Sequence, residues 1–292
     1  MIISTNNILQ NTTYNVVGDI IVKLRKGDIV GRKSYNKDIA FVINNIIKND
    51  EGEIAILKGL ILRIEADAPV EDLELLDDKQ VINIIDKFNK ELERRRKKEF
   101  KATHGLERNK ERYGRILHLD GDKKYSEKSE RVYRSMGLDV VVKNIPESKQ
   151  PQMIYALLSK YTPDILIVTG HDGMIKKGHN YNDIYNYRNS KYFIETVKRA
   201  RRWEFGENKL AIFAGACQSY YEAIMKAGAN FASSPARILI DFKDPLVVAE
   251  KIAKTDSNKF VSIKDIADDL RDGEKGISGS GTMGKKSNNS KM

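Results

Sequence analysis

Two residues in this 292-residue chain have surroundings that suit covalent chemistry: the single cysteine, Cys217, and His171, 46 positions before it. A cysteine attacks as its thiolate, which a nearby imidazole and a helix N-terminus both favour. Cys217 sits in the run Phe213-Ala214-Gly215-Ala216-Cys217-Gln218-Ser219, and a helix predicted over Gln218–Ala227 places its positive end beside the sulfur. His171 sits in Val168-Thr169-Gly170-His171-Asp172-Gly173. Each follows one of the most apolar blocks of the chain and is accompanied by glycines that let backbone approach a substrate carbonyl. The chemistry implied is acyl transfer through a thioester, with the imidazole giving a proton to the leaving amine. The amides of Gly173 and Cys217 are the candidate oxyanion donors. Singly, Cys217 also reads as a small buried hydrophobe and His171 as a loop-satisfied histidine. Their shared context favours the catalytic pair.

The remaining reactive types offer less. His179 belongs to the polar loop after Gly178, and His104 and His118 read as structural. Ser219, Ser233 and Ser234 lack a base at matching spacing. No group of His, Cys and carboxylates has ligand spacing, so neither metal nor other cofactor is expected. The glycines Gly170 and Gly215 fit no phosphate-loop pattern.

These two residues need elements that bring them to one place. From Gly114 onward the sequence alternates strand and helix. Strands are predicted at Arg115–Asp120, Leu138–Val142, Asp164–Thr169, Lys209–Ala214 and within Ala229–Ile240. Helices are predicted at Lys123–Gly137, Gln150–Tyr161, Tyr192–Trp203 and Pro245–Lys254, besides the one after Cys217. Fully apolar strands in such units form a parallel sheet covered on both faces. Ligands then bind beyond the carboxyl ends of the strands, where Asp120-Gly121-Asp122, His171 and Cys217 all fall.

Before this region, residues 1–76 carry short β-rich runs separated by Gly, Asn and Asp, as in a small antiparallel barrel or sandwich. Lys26-Gly27-Asp28-Ile29-Val30 resembles the opening of an SH3-like barrel. A helix follows from Val81 to about Lys101, with Ile84, Ile85, Phe88 and Leu92 on one face. It runs into Arg94-Arg95-Arg96-Lys97-Lys98 and a hinge at Ala102–Arg112. The expected domains are therefore 1–76, a linker 77–112, an α/β domain 113–272 and a disordered tail 273–292 rich in Gly, Ser, Lys and Asn.

Composition bounds the partners. Apolar residues at 40% and charged residues at 32% support a buried core. The net charge of +10 comes from 51 basic against 41 acidic residues that are interspersed almost everywhere, so Lys-rich surface helices account for it better than nucleic-acid binding. Nothing in the sequence reads as a signal peptide or membrane span. A lone cysteine excludes an internal disulfide and fits synthesis in a reducing compartment.

An apolar block ending in histidine, then another ending in Ala-Cys, resembles the caspase-like peptidases, in which the histidine lies roughly 50 residues before the cysteine. Asp172 between His171 and Gly173 departs from their His-Gly pattern. Nearly the whole chain is similar to the YabG family of sporulation-specific peptidases of spore-forming Firmicutes. The similarity is carried by Gly27–Tyr35, Leu117–Asp122, Thr169–Gly173 and Phe213–Ser219. It implies a caspase-like His171/Cys217 dyad needing no cofactor, made in the sporulating cell and associated with the developing spore. Spore coat and cortex-associated proteins would be its substrates, cut chiefly after arginine, and it would process itself. Arginine selectivity calls for a carboxylate at the base of the first pocket, with Asp120, Asp122 and Asp172 as candidates. A turn plus helix N-cap is the equal alternative for Asp120-Gly121-Asp122. Self-cleavage would suit Arg94-Arg95-Arg96, or Arg108 and Arg112. The competing reading is a non-enzymatic scaffold that binds spore-coat protein or nucleic acid.

Overall fold

A computed structural model describes residues 14–17, 20–50, 52–95, 111–175, 180–204 and 210–288. The chain divides into two compact units, Met1–Ile61 with Glu65–Lys90, and Leu62–Ile64 with Glu91–Met292. The first holds a five-stranded antiparallel sheet of β1 (Ile29–Arg32), β2 (Phe41–Asn49), β3 (Gly52–Gly59), β4 (Glu65–Pro69) and β5 (Leu73–Leu75). Their order is β4-β3-β2-β1-β5. Period-two alternation buries Ala55 and Leu57 on one face of β3. Helix α1 (Asp78–Arg95) opens on a reciprocal cap: the Asp77 carboxylate accepts from the Gln80 amide at 2.7 Å, and Gln80 Oε1 accepts from the Asp77 amide at 2.9 Å.

The second unit is built on a six-stranded sheet. Its strands are β6 (Ile116–Asp120), β7 (Val140–Asn144), β8 (Ile165–Thr169), β9 (Ala211–Ala214), β10 (Phe231–Ser233) and β11 (Ile277–Gly279), in the order β7-β6-β8-β9-β10-β11. All neighbours are parallel except β10 and β11. Alternate residues of β8 enter opposite cores. Ile165 and Ile167 pack with Tyr133 and Met136, at the carboxyl end of α2 (Lys123–Ser135), and with Leu246 and Ile252 of α6 (Asp244–Lys254). Leu166 and Val168 pack with Ile154 and Leu158 of α3 (Gln150–Tyr161) and with Phe193 and Val197 of α4 (Ser190–Trp203). The expected parallel sheet with helices on both faces is what forms.

Two local expectations are overturned. Helix α5 (Tyr221–Lys226) begins four residues beyond Cys217, so no helix N-terminus abuts the sulfur. The tail expected to be disordered from Gly273 is ordered through its described part. Ile277, fully buried, and Gly279 build β11 against Ser233 and Phe231, while Thr282–Met283 pairs with Phe260–Val261. Low apolar content misled because one isoleucine in an edge strand suffices when its neighbours already form a sheet. Among the described residues, no helix is long and apolar enough to cross a membrane. Arg96, Arg108, His104 and His179 lie outside the described residues.

If the tail strand belongs to the core, Ile277→Ala should cost about 2–5 kcal/mol, read from urea unfolding; a change under about 0.5 kcal/mol would mean that β11 contributes nothing.

Candidate active site

Strands β8 and β9 are parallel and pair Val168 with Ala214. His171 and Cys217 each lie three residues beyond those partners, so both occupy the carboxyl edge of the sheet. Thr169 pairs with Asp120, which puts the end of β6 at the same edge.

Asp120 is fully buried. Its Oδ2 accepts from the Thr169 hydroxyl at 2.7 Å and from Arg63 Nη1 at 3.1 Å, and its Oδ1 accepts from the Asp122 amide at 2.8 Å. Burial pushes its pKa up, opposed chiefly by the Arg63 charge. His118, 2.7 Å from the Thr169 hydroxyl, is held neutral with a pKa near 3 by burial and by Arg63. Arg63 is 1% exposed, and its Nε and Nη2 are buried without hydrogen-bond partners. The ring of Tyr125 lies 5.7 Å from its guanidinium carbon.

His171 is buried, its ring edge-on to Tyr125 at 6.3 Å. Its Nδ1 stands 3.8 Å from Glu147 Oε1 and its Nε2 3.9 Å from Asp122 Oδ2. Its backbone amide donates to Glu147 Oε1 at 2.7 Å. Glu147 is buried as well, which works to raise its pKa, but the nearby His171 ring and the hydrogen bond from the His171 amide hold it below the ordinary glutamate value. Gly121 and Gly170 exist for this carboxylate: a Cβ on either would overlap it. Gly170 therefore makes room for Glu147, not for a substrate carbonyl.

Asp172 ties the two loops together. Its Oδ1 accepts from the amides of Gly173 and Asn189 at 2.9 and 2.8 Å, and its Oδ2 from the hydroxyls of Ser190 and Ser219 at 2.5 and 2.8 Å. Ser219 in turn accepts from the Ala216 amide, next to Cys217. The Gly173 amide, expected to serve an oxyanion, is thus spent on Asp172. The amide of Asp172 itself donates to the carbonyl of Arg63 at 3.4 Å.

Cys217 is fully buried beneath the segment Ser234–Asp241. Its sulfur accepts from the Ile240 amide at 3.4 Å. Burial pushes the thiol pKa up, partly offset by the Ile240 amide and by the charges of Arg63 and Arg271. Gln218 is held at φ +55 by bonds from its amide to Ile238 O and Ser234 Oγ, and Gly215 at φ +111 packs where a Cβ would strike Ser233. Backbone strain of this kind clusters where a side chain must be aimed.

Of the residues singled out from sequence, His171, Cys217 and Asp120 reach one edge of the sheet. Asp122 caps α2 through the Tyr125 amide at 3.2 Å, and the Asp172 carboxylate is saturated by its four donors. Sequence reasoning missed Arg63 and Glu147. Arg63 was signalled by a lone charge inside Gly59-Leu60-Ile61-Leu62-Arg63-Ile64, and Glu147 by its place after β7 at the functional edge. Among the described residues no group of three or more His, Cys, Asp or Glu is placed to hold a metal.

A largely parallel sheet with helices on both faces, carrying His171 and Cys217 beyond the carboxyl ends of adjacent strands, defines an α/β protein with a buried polar site at that edge. The model of the YabG peptidase U57 family matches residues 25–290, and the chain belongs to that family: it is a peptidase of the YabG sporulation type. The sporulation-specific protease YabG of Bacillus subtilis (strain 168) is 38% identical over 274 residues, covering 88% of this chain and 94% of that protein.

Burial raises the Asp172 pKa from 3.8 to about 6 despite its donors. Folding therefore favours the protonated form, and the stabilisation this group gives is complete below pH about 4 and lost as pH rises through about 6. The stability of the wild type relative to Asp172→Asn should fall across that window in urea titrations; a flat difference would contradict the raised value.

Proposed function

We propose that the protein is an arginine-directed cysteine endopeptidase of caspase-like design, preceded by an SH3-like β domain. Cys217 is the nucleophile and His171 the acid–base. The observation that carries this reading is the parallel pairing of β8 with β9, which delivers both residues to one edge beside Asp120. The sulfur adds to the scissile carbonyl, its proton passing to His171 and then to the leaving nitrogen; water hydrolyses the thioester. Glu147 fixes the histidine loop through the His171 amide and stands on the Nδ1 side of the ring. The amides of Cys217 and Asp172 are the donors to the oxyanion, Asp172 replacing the Gly173 amide of the expected pattern.

Asp120 is the base of the first pocket. A carboxylate this deeply buried and anchored by Thr169 selects a planar cation over neutral side chains. Its hold on the Arg63 guanidinium supports that assignment. Spore coat and cortex-associated proteins are the proposed substrates, in keeping with the sporulation-specific relative, and self-cleavage the proposed processing event.

Cys217→Ala and His171→Ala should each lower hydrolysis of an arginyl peptide by at least about 10³-fold with circular dichroism unchanged. Asp120→Asn should cut kcat/KM for that peptide by about 30-fold or more, since removing one partner of a buried charged pair costs about 2–5 kcal/mol. Full activity in Cys217→Ala would refute the mechanism; undiminished arginine preference in Asp120→Asn would move the pocket elsewhere.

A further inference from the structure

We propose that Arg63 occupies the protein's own arginine pocket and that the Arg63–Ile64 peptide bond is a self-cleavage site; this rests on the cysteine-peptidase reading above. Two hydrogen bonds, both within the second unit, place Arg63 as a substrate residue would be placed. Its guanidinium meets Asp120 at 3.1 Å in a site sealed from water. Its carbonyl oxygen accepts from the amide of Asp172, the residue after the proposed base. The Cys217 sulfur lies near enough to feel both its charge and its backbone amide. One residue is thus held by the proposed selectivity carboxylate and by the histidine loop, beside the proposed nucleophile. Ile64 continues the chain in a parallel bridge to Asp172, as an extended peptide would lie along the site.

The surroundings of Arg63 differ from those of Arg201 in the same unit. Arginines buried for structure have their donors satisfied, since each unpaired one carries a desolvation cost. Arg201 does this in the same unit: its guanidinium nitrogens bond Gly228, Leu210, Glu204 and Asn230. Arg63 leaves Nε and Nη2 without partners. A cavity of about 720 Å³ opens elsewhere in this unit, lined by Arg115, Asp164 and Asn230 at the amino ends of β6, β8 and β10. At the carboxyl edge the arginine site is filled by the chain itself.

The reaction balances without a co-reactant other than water. The Cys217 sulfur bonds to the Arg63 carbonyl carbon, and the bond from that carbon to the Ile64 nitrogen breaks. The thiol proton reaches that nitrogen through His171. Water then cleaves the thioester, returning the thiol and leaving a carboxylate on Arg63 and an amine on Ile64. The sites expected from sequence differ in setting: Arg94 and Arg95 lie in α1, and Arg112 is exposed in a short strand.

The test uses the purified full chain, followed by intact mass and N-terminal sequencing during incubation at neutral pH. Fragments 1–63 and 64–292, with the new terminus Ile64-Glu65-Ala66, should appear at a rate independent of protein concentration. Cys217→Ala should stay whole. Arg63→Gln should stay uncut or nearly so at this bond and Arg63→Lys should be cut more slowly than the wild type, while Arg63→Gln should hydrolyse an arginyl peptide without a lag and with KM lowered several-fold, because no cation of the chain holds Asp120 from the start. A wild type that hydrolyses the peptide while its Arg63–Ile64 bond stays intact overturns this inference and leaves the peptidase reading standing. A wild type that does neither sinks both. Should both Arg63 variants lose their fold by circular dichroism, the wild-type and Cys217→Ala fragment patterns decide alone.

Discussion

Parallel pairing between Ile165–Thr169 and Ala211–Ala214 is the constraint on which the site depends. Parallel strands start and finish together, so whatever the chain places after each strand arrives at the same edge. Residue types then do the rest. A three-residue step beyond the paired positions leads to an imidazole in one case and a thiol in the other. Neither loop needs to be long, because the sheet has already done the positioning. The alternate packing of β8 into two separate cores anchors this edge from both faces, so the loops hang from the most deeply buried part of the unit.

The loops themselves are fixed by buried polar groups, not by apolar packing. Asp172 draws four donors from three segments and passes its hold through Ser219 to the amide before Cys217. Glu147 does the same for the backbone of His171. Satisfied networks of this kind rigidify a site at little cost, whereas removing any member strands its partners away from water. Asp120 belongs to the same economy, with Thr169 and the Asp122 amide holding its oxygens in place for a cation.

Much of this was legible in the sequence, because apolar strands and helical periodicity are local signals. The order of strands and helices, the ends of α3 at Gln150 and Tyr161, and Gly137 just past α2 follow from residues within a few positions of one another. The arrival of His171 and Cys217 at the carboxyl edge was legible because each comes two or three residues after an apolar strand. What escaped was carried by partners far apart in sequence. Arg63 meets Asp120 across 57 positions, and Glu147 meets His171 across 24; no periodicity records such a meeting. Strand β11 escaped for a related reason: Ile277 becomes core only because Phe231 and its neighbours are there to receive it. The role of Gly170 was misjudged because a glycine's use depends on what approaches it, and the approaching group was itself invisible.

The carboxylate of Glu147 takes up volume that side chains at both Gly121 and Gly170 would otherwise claim. Three positions, spread over fifty residues of sequence, are therefore bound into one unit of variation. Neither glycine can drift to alanine while the acid keeps its place, and an acid shortened by one carbon would relax both at a stroke. Tolerance to change here is a property of the trio, so a library that varies these sites one at a time would score each as immutable and miss the combinations that remain open.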